Sequence, residues 1–142
     1  MTPQQDSMDS QTAPEVTSNT EPPEPSPDLL QVINALTWLG NKSLDEFRLT
    51  YPPRDNAYYY FNRMLELDPG NQSAINGILN IANQYAVLAE QAMVNNELEK
   101  TASYVDIGLR IDPNNQALLG LRQFVQSNKS GFINTIKSFF SG

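Results

Sequence analysis

What chemistry this chain can do is defined first by the residue types it lacks. Its 142 residues include no His and no Cys. That removes the commonest metal ligand, the one side chain that titrates unperturbed near neutrality, and thiolate or histidine-activated nucleophiles. Carboxylates remain, but pairs such as Asp45/Glu46 and Glu97/Glu99 stand beside turns, where acids cap helices and favour the helix dipole. The seven glycines never form a GxxxxGK or GxGxxG loop, so no phosphate cradle is encoded. No acidic cluster has EF-hand spacing. The expectation is a protein with no catalytic residue, no metal and no cofactor, acting by binding.

Three groups of side chains are candidates for that binding. Tyr58, Tyr59, Tyr60 and Phe61 put four aromatics into one helical turn, with Tyr51 just upstream. One turn cannot bury all four on one side, so at least one of Tyr58 and Tyr59 is expected to be partly exposed, and exposed tyrosine is a favoured interface anchor. Asn76, Asn80 and Asn83 share one strip of a long helix, and their amides could hydrogen-bond an extended peptide backbone. Phe132, Ile133, Ile136, Phe139 and Phe140 fall at i, i+1, i+4, i+7 and i+8, an amphipathic helix with aromatics on one face. That last segment could cap the fold, dock on a partner or a second copy, or lie on a membrane. A single cation, Lys137, argues against the membrane.

The elements that position these groups are helical throughout, because apolar residues recur at helical spacing from Pro27 onward. Asp28 is read as the cap of a first helix ending near Gly40, with Trp38 in the core. Ser43-Leu44-Asp45-Glu46 has capping-box form and predicts a restart, stopped by Tyr51-Pro52-Pro53. Asp55 or Asn56 caps a helix from Ala57 to Leu67. Asn71 caps a long helix to Val94, whose apolar arc, which includes Leu79, is wide enough to pack on two sides. Asn95-Asn96 break it, a helix follows from Glu97 to Arg110, and another carries Ala117, Leu118, Leu121, Phe124 and Val125. Ser130-Gly131 is read as a break before the final segment.

Charge is distributed unevenly along this pattern. Of 16 acids against 9 Lys and Arg, six acids and no base lie in residues 1–28, so the remainder is nearly neutral. Six of the ten prolines lie in the same stretch. Such a segment cannot bury enough apolar surface to offset its ordering entropy, and 1–27 is expected to be a disordered acidic tail. It has neither the basic start nor the apolar run of a signal peptide. A net charge of −7 argues against nucleic acid, whose phosphates require Lys and Arg. The domains are then the tail 1–27, a helical domain 28–130 and an amphipathic helix 131–142. The expected location is cytoplasmic, with peripheral membrane attachment as the minor alternative.

Leu67-Asp68-Pro69-Gly70-Asn71 and Ile111-Asp112-Pro113-Asn114-Asn115 are the same turn, 44 residues apart. Helix pairs repeated around a shared turn indicate an α-solenoid. Counted back from Pro113, the residues Tyr85, Leu88, Ala89, Thr101, Val105 and Gly108 resemble the packing positions of a tetratricopeptide repeat (TPR). Ala57, Phe61 and Met64 are similar to the second helix of a preceding repeat. The run from Arg48 to Ala57 together with the two Asp-Pro turns resembles a group of bacterial TPR-like domains, over residues 29–127. The 44-residue spacing is ten longer than the family's, which lengthens the helix after Gln72.

The resemblance implies an all-α, short stack of about five to seven helices that binds a protein or peptide. It also implies a non-catalytic interaction module or adaptor. A structural subunit that self-associates, for instance as a homodimer, or that attaches to a membrane through the Phe-rich helix, is the second expectation. A carboxylate clamp, a familiar use of the family's first helices, is not expected, since residues 72–94 contain no Lys or Arg.

Overall fold

A computed structural model describes residues 26–141, with side chains from 26 to 128. Among the described residues the chain is helical with no strand, in five helices: α1 (Pro27–Asp45), α2 (Ala57–Leu67), α3 (Gln72–Val94), α4 (Leu98–Ile111) and α5 (Gln116–Ser141). Each helix packs on the next in sequence, and α3 also touches both α1 and α5. The long helix is therefore covered on two sides, as its wide apolar arc predicts. The predicted tail falls, apart from its last residues, outside the described part.

The first helix is one element, which corrects the expected break at Gly40 and restart at Ser43. Ser26, not Asp28, is the N-cap, its hydroxyl accepting from Leu29 N at 3.2 Å, and Pro27 takes the first helical position that suits it. The helix runs through Gly40 because that glycine is buried against α2. A Cβ there would lie 2.6 Å from Cε1 of Phe61. Ser43 is buried in the same face and caps nothing. Trp38 is also corrected: it points away from this face, 62% exposed, with Lys42 Nζ 5.8 Å from its ring centroid.

Helix α1 stops without glycine or proline. Phe47 adopts φ 62°, Phe47 N donates to Leu44 O (3.0 Å) and Arg48 N to Ser43 O (2.8 Å), which is a Schellman cap. Asn96 ends α3 in the same way, with φ 63° and bonds from Asn96 N to Met93 O and Glu97 N to Ala92 O. Between α1 and α2 the chain carries a cis Tyr51–Pro52 bond and buries Leu49. Arg48 O and Leu49 O accept from the first amides of α2, Ala57 N (2.8 Å) and Tyr58 N (3.0 Å). Asn56, the N-cap of α2, accepts from Tyr59 N and donates to Pro52 O, each at 2.8 Å.

Contacts between Gly40 and Phe61 and between Thr37 Oγ1 and Met64 Sδ (3.7 Å) fix α1 and α2 as an antiparallel hairpin. Phe61 fills the junction of α1, α2 and α3, with Ile33, Leu49, Met64, Ile81 and Tyr85 in the same buried cluster. Ala82, Ala86, Ala89, Val105, Leu118 and Leu121 form a second cluster among α3, α4 and α5. The two Asp-Pro turns repeat in structure as in sequence. Asp68 and Asp112 close α2 and α4 through amide bonds to Met64 O (2.7 Å) and Gly108 O (2.9 Å). Asn71 and Asn115 then cap α3 and α5 by accepting from Ala74 N (2.9 Å) and Leu118 N (3.0 Å). Helix α5 continues unbroken to Ser141, which corrects the expected break at Ser130-Gly131. A glycine inside a helix costs about 1 kcal/mol relative to alanine and weakens the helix without ending it.

Candidate functional site

The aromatic turn is divided by the helix period. Phe61 goes inward, while Tyr58, Tyr59 and Tyr60 are each half-buried. Tyr58 leans on the first core cluster, and Tyr59 stacks edge-on against Tyr60 at 5.4 Å between centroids. Tyr58 and Tyr59 line an open cleft of about 250 Å³ with Thr50, Arg54, Asn56, Asn62, Arg63 and Glu66. Its floor is the face of α2 that carries Tyr58, Tyr59, Asn62, Arg63 and Glu66, and the 50–56 loop closes one end.

That loop is held from both sides. Thr50 Oγ1 hydrogen-bonds Tyr85 Oη on α3, while Asn56 ties it to α2. Arg54 sits in the left-handed region at φ 63° and enters no ion pair among the described residues. Arg63 pairs with Glu66 at 2.6 Å. The cleft thus offers two guanidinium groups, one of them paired with the Glu66 carboxylate, two phenols and the Asn62 carboxamide, whose amide also donates to Tyr58 O at 2.8 Å. Such a set suits an extended, acidic or polar peptide.

Beside the cleft lies an ion-pair network built on Arg48. It reaches Asp55 Oδ1 (2.6 Å) and Glu46 Oε1 (2.7 Å), and Lys42 bonds Glu46 as well. Tyr60 Oη donates to Asp55 Oδ1 at 2.8 Å. That bond to a carboxylate, with some burial, pushes the Tyr60 phenol above the ordinary tyrosine range. The bond's contribution is full below the ordinary tyrosine pKa and is lost as pH rises through the elevated one. Alkaline titration by phenolate absorbance should show a late-ionising tyrosine that Asp55→Ala moves to lower pH. An unchanged curve would remove this account of Tyr60.

The asparagine strip is placed differently. Asn76, Asn80 and Asn83 are all on the exposed face of α3, and none lines the Tyr58–Tyr59 cleft. Asn76 and Asn80 accept from Gln72 and Gln84 of their own helix. Asn83 Oδ1 accepts from Asn115 Nδ2 at 2.7 Å, so it braces the cap of α5. Leu79, expected inward, is 43% exposed on this face with Val87 and Val94. Val87, Glu90, Gln91, Val94 and Asn95 line a shallow groove of about 440 Å³ at its far end.

Phe132, Ile136, Phe139 and Phe140 lie on the helical backbone of α5, and their side chains fall outside the described part. Sequence reasoning missed Thr50, Arg54, Asn62 and Arg63. The i, i+4 spacing from Tyr58 to Asn62 and from Tyr59 to Arg63 was the available signal, whereas the folding of the 50–56 loop over that face was not. Among the described residues no His, Cys, Asp and Glu group could hold a metal ion, and no helix is long and apolar enough to cross a membrane. Comparison with family models, with curated proteins and with solved structures finds no match for this chain.

Proposed function

We propose that this chain is a non-catalytic interaction module, a TPR-like adaptor that grips a protein or peptide partner through the α2 cleft. The observation that carries the reading is the cleft itself: half-exposed Tyr58 and Tyr59 stand beside Arg54 and Arg63 on a rigid helix under a pinned loop. Tyrosine and arginine concentrate binding energy at interfaces, tyrosine through large contact area at low entropic cost and arginine through directed hydrogen bonds to carboxylates. The repeated Asp-Pro turns, and the burial of Ala57, Phe61, Met64, Tyr85, Ala89, Thr101, Val105 and Gly108, support a TPR-like solenoid.

Affinity capture from the protein's own cells tests it, with wild type beside Tyr59→Ala/Arg63→Ala. A partner held by wild type should bind the variant at least about tenfold more weakly, with an unchanged melting curve for the variant. Equal capture by both would move the interface elsewhere.

One observation favours the self-assembling reading. Helix α5 has 26 residues against 14 in α4, so about 18 Å of helix at 1.5 Å per residue has no length of α4 beside it. The solution mass of full-length protein beside a 1–130 truncation decides this reading. A concentration-dependent oligomer lost on truncation supports it, and equal monomer masses remove it.

A further inference from the structure

The α2 cleft has a candidate ligand within the same chain. We propose that the acidic N-terminal segment around Asp6–Glu15 docks in the cleft of its own molecule and competes there with external partners. This rests on the reading of the cleft as a peptide-binding surface. Residues 1–25 carry Asp6, Asp9, Glu15, Glu21 and Glu24 with no Lys or Arg, and they join the fold at Ser26, the N-cap of α1. The cleft carries Arg54, free of any ion pair among the described residues, and Arg63, whose one pairing is to exposed Glu66. A carboxylate brought between them gains charge-assisted hydrogen bonds without uncovering a buried group.

The geometry allows the contact. The antiparallel register that sets Gly40 against Phe61 and Thr37 against Met64 puts Glu66 level with Ala35 and Tyr59 level with Lys42. The cleft therefore lies about 14–24 Å along the hairpin from Ser26, at 1.5 Å per helical residue. Ser26 lies fourteen positions after Thr12, an extended span of about 46 Å. Asp6, Asp9 and Glu15 have the slack to reach and turn, whereas Glu24, two residues from Ser26, spans at most about 7 Å. A tether of this length gives an effective concentration in the millimolar range, enough for a weak, salt-sensitive contact to be well populated.

The absence of Cys makes the test direct. Thr12→Cys in the full-length protein takes a single nitroxide label, and amide cross-peaks are recorded on the isotope-labelled chain. At low salt the amides of Arg54, Tyr58, Tyr59, Asn62 and Arg63 should lose about half their intensity or more, given that local concentration. The loss should persist on dilution with unlabelled protein. It should fade at high ionic strength and in Arg54→Gln/Arg63→Gln, whose remaining spectrum reports whether the fold is intact.

Attenuation that is absent, or spread evenly over the surface, overturns the proposal. So does attenuation that vanishes on dilution, which would place the tail on a second copy. Failure here leaves the partner-capture result with Tyr59→Ala/Arg63→Ala untouched, so the cleft and its internal ligand are judged separately.

Discussion

Replacing Phe61 with alanine should destabilise the fold by about 3–5 kcal/mol, a large share of the roughly 5–15 kcal/mol that holds a domain of this size together. The ring is 1% exposed and wedged between two glycines on different helices. A Cβ on Gly40 would come within 2.6 Å of Cε1, and one on Gly77 within 2.5 Å of Cε2. Neither α1 nor α3 can close on the hole that alanine leaves without losing other contacts, so the cavity term is retained. The glycines make a sharper test than the deletion alone. With Phe61 present, Gly77→Ala overpacks the junction by about 1–3 kcal/mol, which outweighs the gain of up to about 1 kcal/mol from better helix propensity. With Phe61→Ala the clash is gone and the same substitution should stabilise. Chemical denaturation followed by circular dichroism gives both values. The same sign for Gly77→Ala in both backgrounds would refute the wedge.

That wedge also shows where the sequence was legible and where it was not. The caps at Asn56, Asn71 and Asn115 and the limits of α2 and α3 follow from local rules, because a side chain two or three residues away satisfies the first free amides. Asn96 was legible for the same reason, since asparagine tolerates the left-handed conformation that ends α3. Phe47 performs the identical closure on α1 with a side chain that carries no such signal. Gly40 was misread because its meaning is tertiary: it is a space for a ring 21 residues away in sequence, and local propensity sees only a helix breaker. Ser43-x-x-Glu46 satisfied the capping-box pattern at the wrong end of a helix, with Ser43 buried in the last turn of α1 and Glu46 at its C-cap. Trp38 shows the converse, an apolar residue left on the outer face once Gly40 and Ile33 fixed the rotation of α1.

The candidate site was legible by halves. Spacing alone predicted that at least one of Tyr58 and Tyr59 would remain partly at the surface. The spacing also put Asn76, Asn80 and Asn83 on one strip, which is exposed, but exposure does not separate a binding amide from a brace. Asn83 is occupied by Asn115, a residue 32 positions later that no local pattern links to it. Arg54 and Thr50 join the cleft only through the fold of the 50–56 loop.

The second half of the molecule gives the other large expected effect. Leu118→Ala should cost about 2–5 kcal/mol, since Leu118 is fully buried in the cluster of α3, α4 and α5. Its partner in close approach is Gly108. A Cβ there would lie 2.5 Å from Leu118 Cδ1 and 3.1 Å from Tyr85 Cβ, so α4 meets both α5 and α3 at that glycine. The two clusters are joined by Tyr104 and Ile111, which pack against both. In a stack where each unit contacts only its neighbours, damage at one end is felt first at that end. Amide exchange in Leu118→Ala should therefore accelerate most in α4 and α5 and least in α1 and α2, with Phe61→Ala giving the opposite gradient. Uniform acceleration in both variants would show that Tyr104 and Ile111 weld the two halves into one cooperative unit, and the nearest-neighbour description would fail. A gradient would mean that the α5 end can open while α1 and α2 stay folded, leaving the α2 cleft formed on the more persistent half of the protein.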